Sequence, residues 1–141
     1  MFKKILVPID VSQSDSGAAS LKAAADLGGK SDAKLTLLNV TSPVPNLVAA
    51  QLPSNYLEAT QESAGNIMEE LASSAGLKAG SYDIQTEQGV AYDEILLAAE
   101  SSGADLIVVA SHQPGVADYL LGSTAAKIVR HAKCSVLVVR D

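Results

Sequence analysis

Gly122-Ser123-Thr124 is the segment of this sequence best suited to bind a charged ligand, because it precedes an amphipathic helical pattern. In the first turn of a helix the backbone N–H groups lack intrahelical partners, and the helix dipole favours an anion. Glycine lets a ligand approach the backbone closely, and the two hydroxyls could cap the helix or bond a phosphate oxygen. The segment therefore indicates a phosphate-binding corner, although an ordinary helix cap after a glycine turn fits its spacing at least as well.

Two further polar positions, Asp10 and His112, follow apolar runs that are typical of buried strands. Residues 5–9 precede Asp10, and residues 106–110 precede Ser111 and His112. If these two strands are neighbours in a parallel sheet, their polar ends face one crevice. Ligands bind in such crevices, at the point where the strand order reverses. As structural alternatives, Asp10 could cap a helix and His112 could be a solvated loop residue.

Sequence patterns for other kinds of chemistry do not occur in the chain. It contains no P-loop, no Gly-x-Gly-x-x-Gly motif, no His or Cys pair with metal-ligand spacing and no evident nucleophile–base pair. A response regulator would need paired acids after its first strand, where Asp10 stands alone, and a flavodoxin would need a loop rich in Thr and Gly. Lys127 and Arg130 could approach a phosphate, but a solvated helix face explains them more simply. We therefore expect no catalytic residue and no protein metal site.

The composition is that of a globular protein with an aliphatic core. Of the 141 residues, 48% are hydrophobic but only 4% are aromatic, and we expect a single domain covering residues 1–141. A net charge of −6 argues against binding to nucleic acid or to an acidic membrane surface, since both require basic patches. The single Cys134 excludes an internal disulfide, and no membrane-spanning run or signal-peptide pattern occurs, so we expect a cytoplasmic protein.

Strand and helix patterns alternate along the chain. Strands are predicted at residues 5–9, 34–40, 82–87, 106–110 and 136–139, and helices within residues 12–29, 55–75, 92–103 and 123–132. This order, with crossovers of helical length, forces a parallel sheet with helices on both faces. The third strand alternates polar and apolar residues, which places it nearer an edge, whereas the last two strands are predicted to be buried.

Hydrophobic spacing also predicts which helix faces pack on the sheet. The first helix is expected to bury Ala18, Leu21 and Ala25. The second carries an apolar stripe of Leu57, Ala64, Ile67, Leu71 and Ala75. Residues 41–53 hold three of the five prolines and have no period. We expect a loop there, of the length that often forms a binding element or a lid.

Both ends of the chain resemble the universal stress protein family. The similarity is carried by Val7-Pro8-Ile9-Asp10-Val11-Ser12, by Leu120-Leu121-Gly122-Ser123 and by the run from Cys134 to Arg140. The loop from Ala110 to Pro114, Tyr119 and the segment Val129-Arg130-His131-Ala132 resemble the small, single-domain F/G-type branch. The resemblance implies an α/β fold with an open five-stranded parallel sheet of order 3-2-1-4-5, which agrees with the element pattern above.

ATP-binding members of this family carry two glycines ahead of a Gly-[Ser/Thr] pair, and this sequence keeps the pair as Gly122-Ser123. Ala110 and Gln113 stand in place of the earlier glycines, the loop is one residue shorter, and Gly115 could act from a shifted position. Resemblance to the F/G-type branch nevertheless implies that ATP is bound, with Mg²⁺ as an optional companion ion.

Position by position, the resemblance implies where the ATP would lie. Pro8, Ile9 and Asp10 would line the adenosine side, with Asp10 accepting a hydrogen bond from a ribose hydroxyl. Val40 would cover the adenine. The residues expected around the ribose and the phosphates are Ala110, Ser111, His112, Gln113, Gly122, Ser123 and Thr124.

The resemblance also implies a regulatory, stress-response protein that binds ATP as a homodimer and hydrolyses it slowly or not at all. Family members often pair the last strand with its two-fold mate, and the run from Ser135 to Val139 has no proline or charge to protect a sheet edge. We therefore expect a dimer formed through Val136–Arg140. Two alternatives stay open: the same fold without nucleotide, acting through protein partners, or a weak ATP hydrolase or nucleotidyl-transferring enzyme that uses the His112 loop.

Overall fold

Five strands and five α-helices alternate along the residues described by the computed structural model, which are 1–29, 31–111 and 121–140. The strands are β1 (Lys4–Pro8), β2 (Lys34–Thr41), β3 (Tyr82–Gln88), β4 (Leu106–Ala110) and β5 (Ser135–Val139). The helices are α1 (Ser14–Gly29), α2 (Asn46–Ala49), α3 (Tyr56–Ser74), α4 (Ala91–Ser102) and α5 (Ser123–His131), and a 3-10 turn at Val11–Gln13 precedes α1. Within these ranges no helix is both long and apolar enough to cross a membrane.

The strands form an all-parallel sheet of order β3-β2-β1-β4-β5, which confirms the predicted fold class. β1 lies at its centre, where Ile5 and Leu6 pair with Leu106 and Ile107 of β4. From β1 the chain crosses over to β2 on one side, and from β4 it crosses over to β5 on the other. The strand order therefore reverses between β1 and β4, and a crevice opens beyond their carboxyl ends.

Side chains of the central strands alternate between two apolar layers, one on each face of the sheet. Ile5 and Val7 of β1 pack with α1 and α3, whereas Leu6 packs with α4 and α5. All three side chains are almost completely buried. Burial on both faces explains why β1 and β4 are continuous apolar runs rather than alternating ones. The helices are thus divided between the two faces, as predicted.

The face that α1 turns to the sheet differs from the predicted one. Leu21 is buried as expected, but Ala18 is exposed and Ala24 is buried in place of Ala25. The fully buried Ser20 donates its hydroxyl to a carbonyl one turn earlier, at 3.1 Å, which satisfies both polar groups inside the core. Hydrophobic spacing alone misses this face because small polar residues contribute to it.

The stripe of α3 is also shifted from the prediction. Its buried residues are Ala64, Met68 and Ala72, each one turn apart. Leu57 is 37% exposed, and Ile67 is only partly buried. Two alanines let the helix approach the core closely, and the flexible methionine between them fills the remaining space.

Two expectations about irregular and edge segments were wrong in detail. Residues 41–53 are not all loop, because they contain α2, a single turn closed by local hydrogen bonds such as Ala49 N to Pro45 O at 2.9 Å.

The prediction of a buried last strand was also wrong. β5 is an edge strand with only one neighbour, so Val136 to Val139 are only partly buried.

Met68→Ala should lower the free energy of unfolding by about 2–5 kcal/mol, because truncation leaves a cavity in a closed apolar layer. Leu57→Ala, in the same helix, should lower it by less than about 1 kcal/mol, because that side chain already meets water. Urea unfolding followed by circular dichroism measures both. A larger loss for Leu57→Ala would show that the other face of α3 packs on the core.

Candidate functional site

A cavity of about 420 Å³ opens at the carboxyl ends of β1, β2 and β4. Its volume lies within the range of small-molecule binding sites, and it occupies the crevice where open α/β sheets bind ligands. The predicted site residues that line it are Pro8, Ile9, Asp10, Val40, Ala110, Gly122, Ser123 and Thr124. The structure therefore brings both ends of the sequence to one cavity.

Of the predicted residues that the structure describes, Ser111 does not line this cavity. Ser111 is buried at the end of β4, where its N–H donates to the carbonyl of Val139 at 3.0 Å. His112 and Gln113 lie outside the described residues.

Asp10 is held in a defined orientation at the β1 side of the cavity. Its Oδ1 accepts hydrogen bonds from the backbone N–H of Ser12 at 3.0 Å and from the Ser12 hydroxyl at 2.6 Å. The backbone carbonyl of Asp10 accepts a hydrogen bond from the N–H of Gln13 at 3.0 Å, and this bond closes the turn before α1. These bonds occupy one carboxylate oxygen and leave the other able to accept from a ligand hydroxyl.

The opposite wall is the N-terminus of α5. Gly122 is the N-cap in an extended conformation, with φ −60° and ψ 153°, and as a glycine it has no side chain with which to cap the helix. The structural alternative, in which Ser123 or Thr124 is the N-cap, is not observed, because both residues already lie inside the first turn. The backbone N–H groups of this turn and the positive end of the helix dipole make the wall suited to an anion.

Sequence reasoning missed the contributions of α1, α4 and the interior of β2. The first turn of α1 supplies Ser16 and Gly17 to the wall, the 3-10 turn before it supplies Gln13, and the first turn of α4 supplies Ala91. Asn39 also lines the cavity; it is 6% exposed, and its Nδ2 donates to the carbonyl of Ile9 at 2.9 Å. Asn39 could have been found from the sequence, because it is a polar residue inside an otherwise apolar strand pattern. A buried amide needs a hydrogen-bond partner, so such a residue indicates a polar contact.

On the described wall, positive potential comes from backbone N–H groups and not from basic side chains. Among the described residues that line the cavity, Asp10 is the ionisable side chain. Within the same residues no group of three His, Cys, Asp or Glu side chains could hold a metal ion. The geometry therefore combines a hydrogen-bond acceptor for a hydroxyl group with an anion-binding helix terminus.

The whole chain is similar to proteins of one family. A model described as the Universal stress protein family matches residues 1–140. Universal stress protein G of Shigella flexneri is 29% identical over 143 residues, covering 99% of this chain and 100% of that protein. Universal stress protein YxiE of Bacillus subtilis is 32% identical over 152 residues, with 99% and 100% covered. The solved structure of universal stress protein UspA from Lactobacillus plantarum has a TM-score of 0.81 at 26% identity, covering 98% of this chain and 97% of that one.

A second, smaller cavity of about 280 Å³ lies between the ends of α4 and α5 and the start of β5. Cys134 is part of its lining and is partly buried. Burial disfavours the thiolate and raises the pKa of this thiol above its ordinary value. The position therefore suits a packed thiol rather than a reactive one.

Alkylation of Cys134 by iodoacetamide should be slower at pH 8 in the folded protein than in the urea-unfolded chain. The thiolate is the nucleophile, and a raised pKa leaves less of it at that pH. A pH–rate series on both states, followed by mass spectrometry, measures the two midpoints. A folded-state midpoint at or below that of the unfolded chain would contradict the expected direction.

Proposed function

We propose that this chain, which belongs to the universal stress protein family, is a regulatory protein that binds ATP in the cavity beyond β1 and β4. One observation carries the proposal: a single cavity joins the oriented carboxylate of Asp10 to the N-terminus of α5, where Gly122 is the N-cap. A ribose hydroxyl and a phosphate are the two groups of a nucleotide that these features recognise.

The proposed ATP lies along the carboxyl edge of the sheet. The adenine packs on the apolar side chains of Ile9 and Val40, and the ribose donates to the free oxygen of Asp10. The phosphates meet the backbone N–H groups that follow Gly122. The other residues of the proposed site are Pro8, Ala110, Ser123 and Thr124 on the described wall, together with His112 and Gln113.

A companion Mg²⁺ would be held chiefly by the phosphates in this proposal. Mg²⁺ commonly keeps several waters and uses one or two carboxylates together with substrate phosphates. Asp10, the carboxylate on the described wall, is assigned to the ribose here, so phosphate oxygens and water would coordinate the ion. Because no base is oriented beside an evident nucleophile there, we propose binding and sensing of ATP with slow turnover at most, in a cytoplasmic protein.

We further propose a homodimer in which β5 pairs with its two-fold mate through Val136–Arg140. The carbonyl of Val139 accepts from Ser111, so the backbone groups of Val139 face β4. Successive residues of a strand point their N–H and C=O groups to opposite sides, so those of Val136 and Val138 face away from β4. An isologous contact along this edge would pair these groups in both protomers.

Gly122→Val should weaken ATP binding at least tenfold, a loss of roughly 1.4 kcal/mol. The added side chain occupies the space where a phosphate would meet the first turn of α5. The φ of −60° and ψ of 153° at Gly122 are accessible to valine, so backbone strain does not explain the loss. Titration calorimetry on the two proteins measures the difference.

Gly65→Val in α3 is the control, because a Cβ there would meet no described atom within 4 Å apart from the adjoining residues of its own helix. It should bind ATP as the wild type does. Equal affinities for wild type and folded Gly122→Val would refute this placement of the phosphates.

Val138→Pro should convert the dimer to a monomer while keeping the fold. Proline removes an N–H that faces away from β4 and crowds the partner strand, but it leaves the Ser111–Val139 bond intact. Light scattering at tens of micromolar, with circular dichroism as the fold control, measures the outcome. A monomeric wild type would refute the dimer, and a dimer unaffected by the proline would place the interface elsewhere.

A further inference from the structure

A cation–π pair joins α4 and α5 beside the main cavity. The Nζ of Lys127 lies 4.2 Å from the centroid of the Tyr92 ring. Tyr92 packs against the apolar layer of α4 and α5, whereas Lys127 is exposed. Both residues adjoin the cavity wall, because Ala91 precedes the tyrosine and Ile128 follows the lysine.

Lys127 is not part of the cavity lining, but helix geometry places it on the same side of α5 as Ser123, which is. It follows Ser123 by four residues, so both lie on one side of α5, about 6 Å apart along the axis. Side chains of a helix tilt toward its N-terminus, so the lysine stem runs from its own turn toward the first turn. The extended stem is long enough for the ammonium to reach the level of Ser123.

The wall lacks a positive side chain among its described residues. Its ionisable side chain is the acid Asp10, so the wall would attract a polyphosphate only through backbone dipoles and hydroxyl groups. Two other lysines already have acidic partners, since Lys34 pairs with Asp83 at 3.3 Å and Lys133 with Glu100 at 2.6 Å. Lys127 instead lies over a neutral ring, from which it can move without breaking an ion pair.

We propose that Lys127 is the cation that binds the terminal phosphates of the nucleotide, and that Tyr92 holds it ready in the free protein. This inference rests on the proposed ATP binding and adds its specificity determinant. A charge-assisted hydrogen bond to phosphate is stronger than an exposed cation–π contact, so the ligand draws the ammonium off the ring. The site then selects nucleotides that carry a polyphosphate over nucleoside monophosphates.

Titration calorimetry of ATP and AMP on wild type, Lys127→Gln and Lys127→Arg tests the proposal. Lys127→Gln should weaken ATP binding about tenfold and leave AMP binding nearly unchanged, because AMP does not reach the ammonium. Lys127→Arg keeps the charge and should restore most of the ATP affinity.

Lys133→Gln is the matched control and should change neither affinity, since this residue lies by the second cavity. Thermal unfolding checks each fold, and Lys127→Met provides a second neutral variant.

A second readout follows the lysine itself. In the free protein the Tyr92 ring should shift the Hε signals of Lys127 upfield in NMR spectra, and ATP, but not adenosine, should reverse the shift. Equal losses of ATP and AMP affinity in Lys127→Gln, or no loss of either, would overturn the assignment of Lys127. If the wild type binds neither nucleotide, both the proposed function and this inference are overturned. If the wild type binds ATP but Lys127→Gln does not weaken ATP binding selectively, only the inference is overturned.

Discussion

Ile5 and Leu6 of β1 pair in parallel with Leu106 and Ile107 of β4, and this contact joins the two halves of the sheet. The crossovers that leave these strands go to opposite sides, so a crevice stays open between the helices at their carboxyl ends. The residues that follow the two strands therefore face one space. Without this pairing, Asp10 and the N-terminus of α5 would stand at separate edges and could not contact one ligand.

Close packing of α1 on the sheet builds a further part of the same cavity. A Cβ on Gly17 would lie 3.0 Å from Cγ2 of Ile9, and one on Gly28 would lie 3.1 Å from Cδ1 of Leu35. The absence of side chains at both positions lets the helix approach the strands along its length. This approach brings Gln13 and Ser16, near its N-terminal end, into the cavity wall. Core packing and site construction thus depend on the same small residues.

The described wall of the cavity is organised by hydrogen bonds rather than by basic side chains. Ser12 orients the carboxylate of Asp10, and Asn39 holds the carbonyl of Ile9. Such bonds reduce the conformational freedom that a ligand would otherwise have to remove on binding. In the proposed function, backbone groups near Gly122 bind the phosphates and Lys127 adds a charge that moves with the ligand. Phosphate binding that is shared in this way between backbone groups and one lysine suits a protein that senses a nucleotide more than an enzyme that hydrolyses it.

The amino-acid sequence was enough to predict the alternation of strands and helices, the parallel sheet and the positions of Asp10 and Gly122 at element ends. These features depend on local periods of apolar residues and on turn residues, which can be recognised along the chain. The buried helix faces could not be predicted in this way, as Ala24 and Met68 show, because close packing selects small or flexible side chains that hydrophobicity does not identify. Tertiary structure also brought Asn39 and the first turns of α1 and α4 to the cavity. Their contribution depends on contacts between segments that are distant in the chain, and no local pattern encodes those distances.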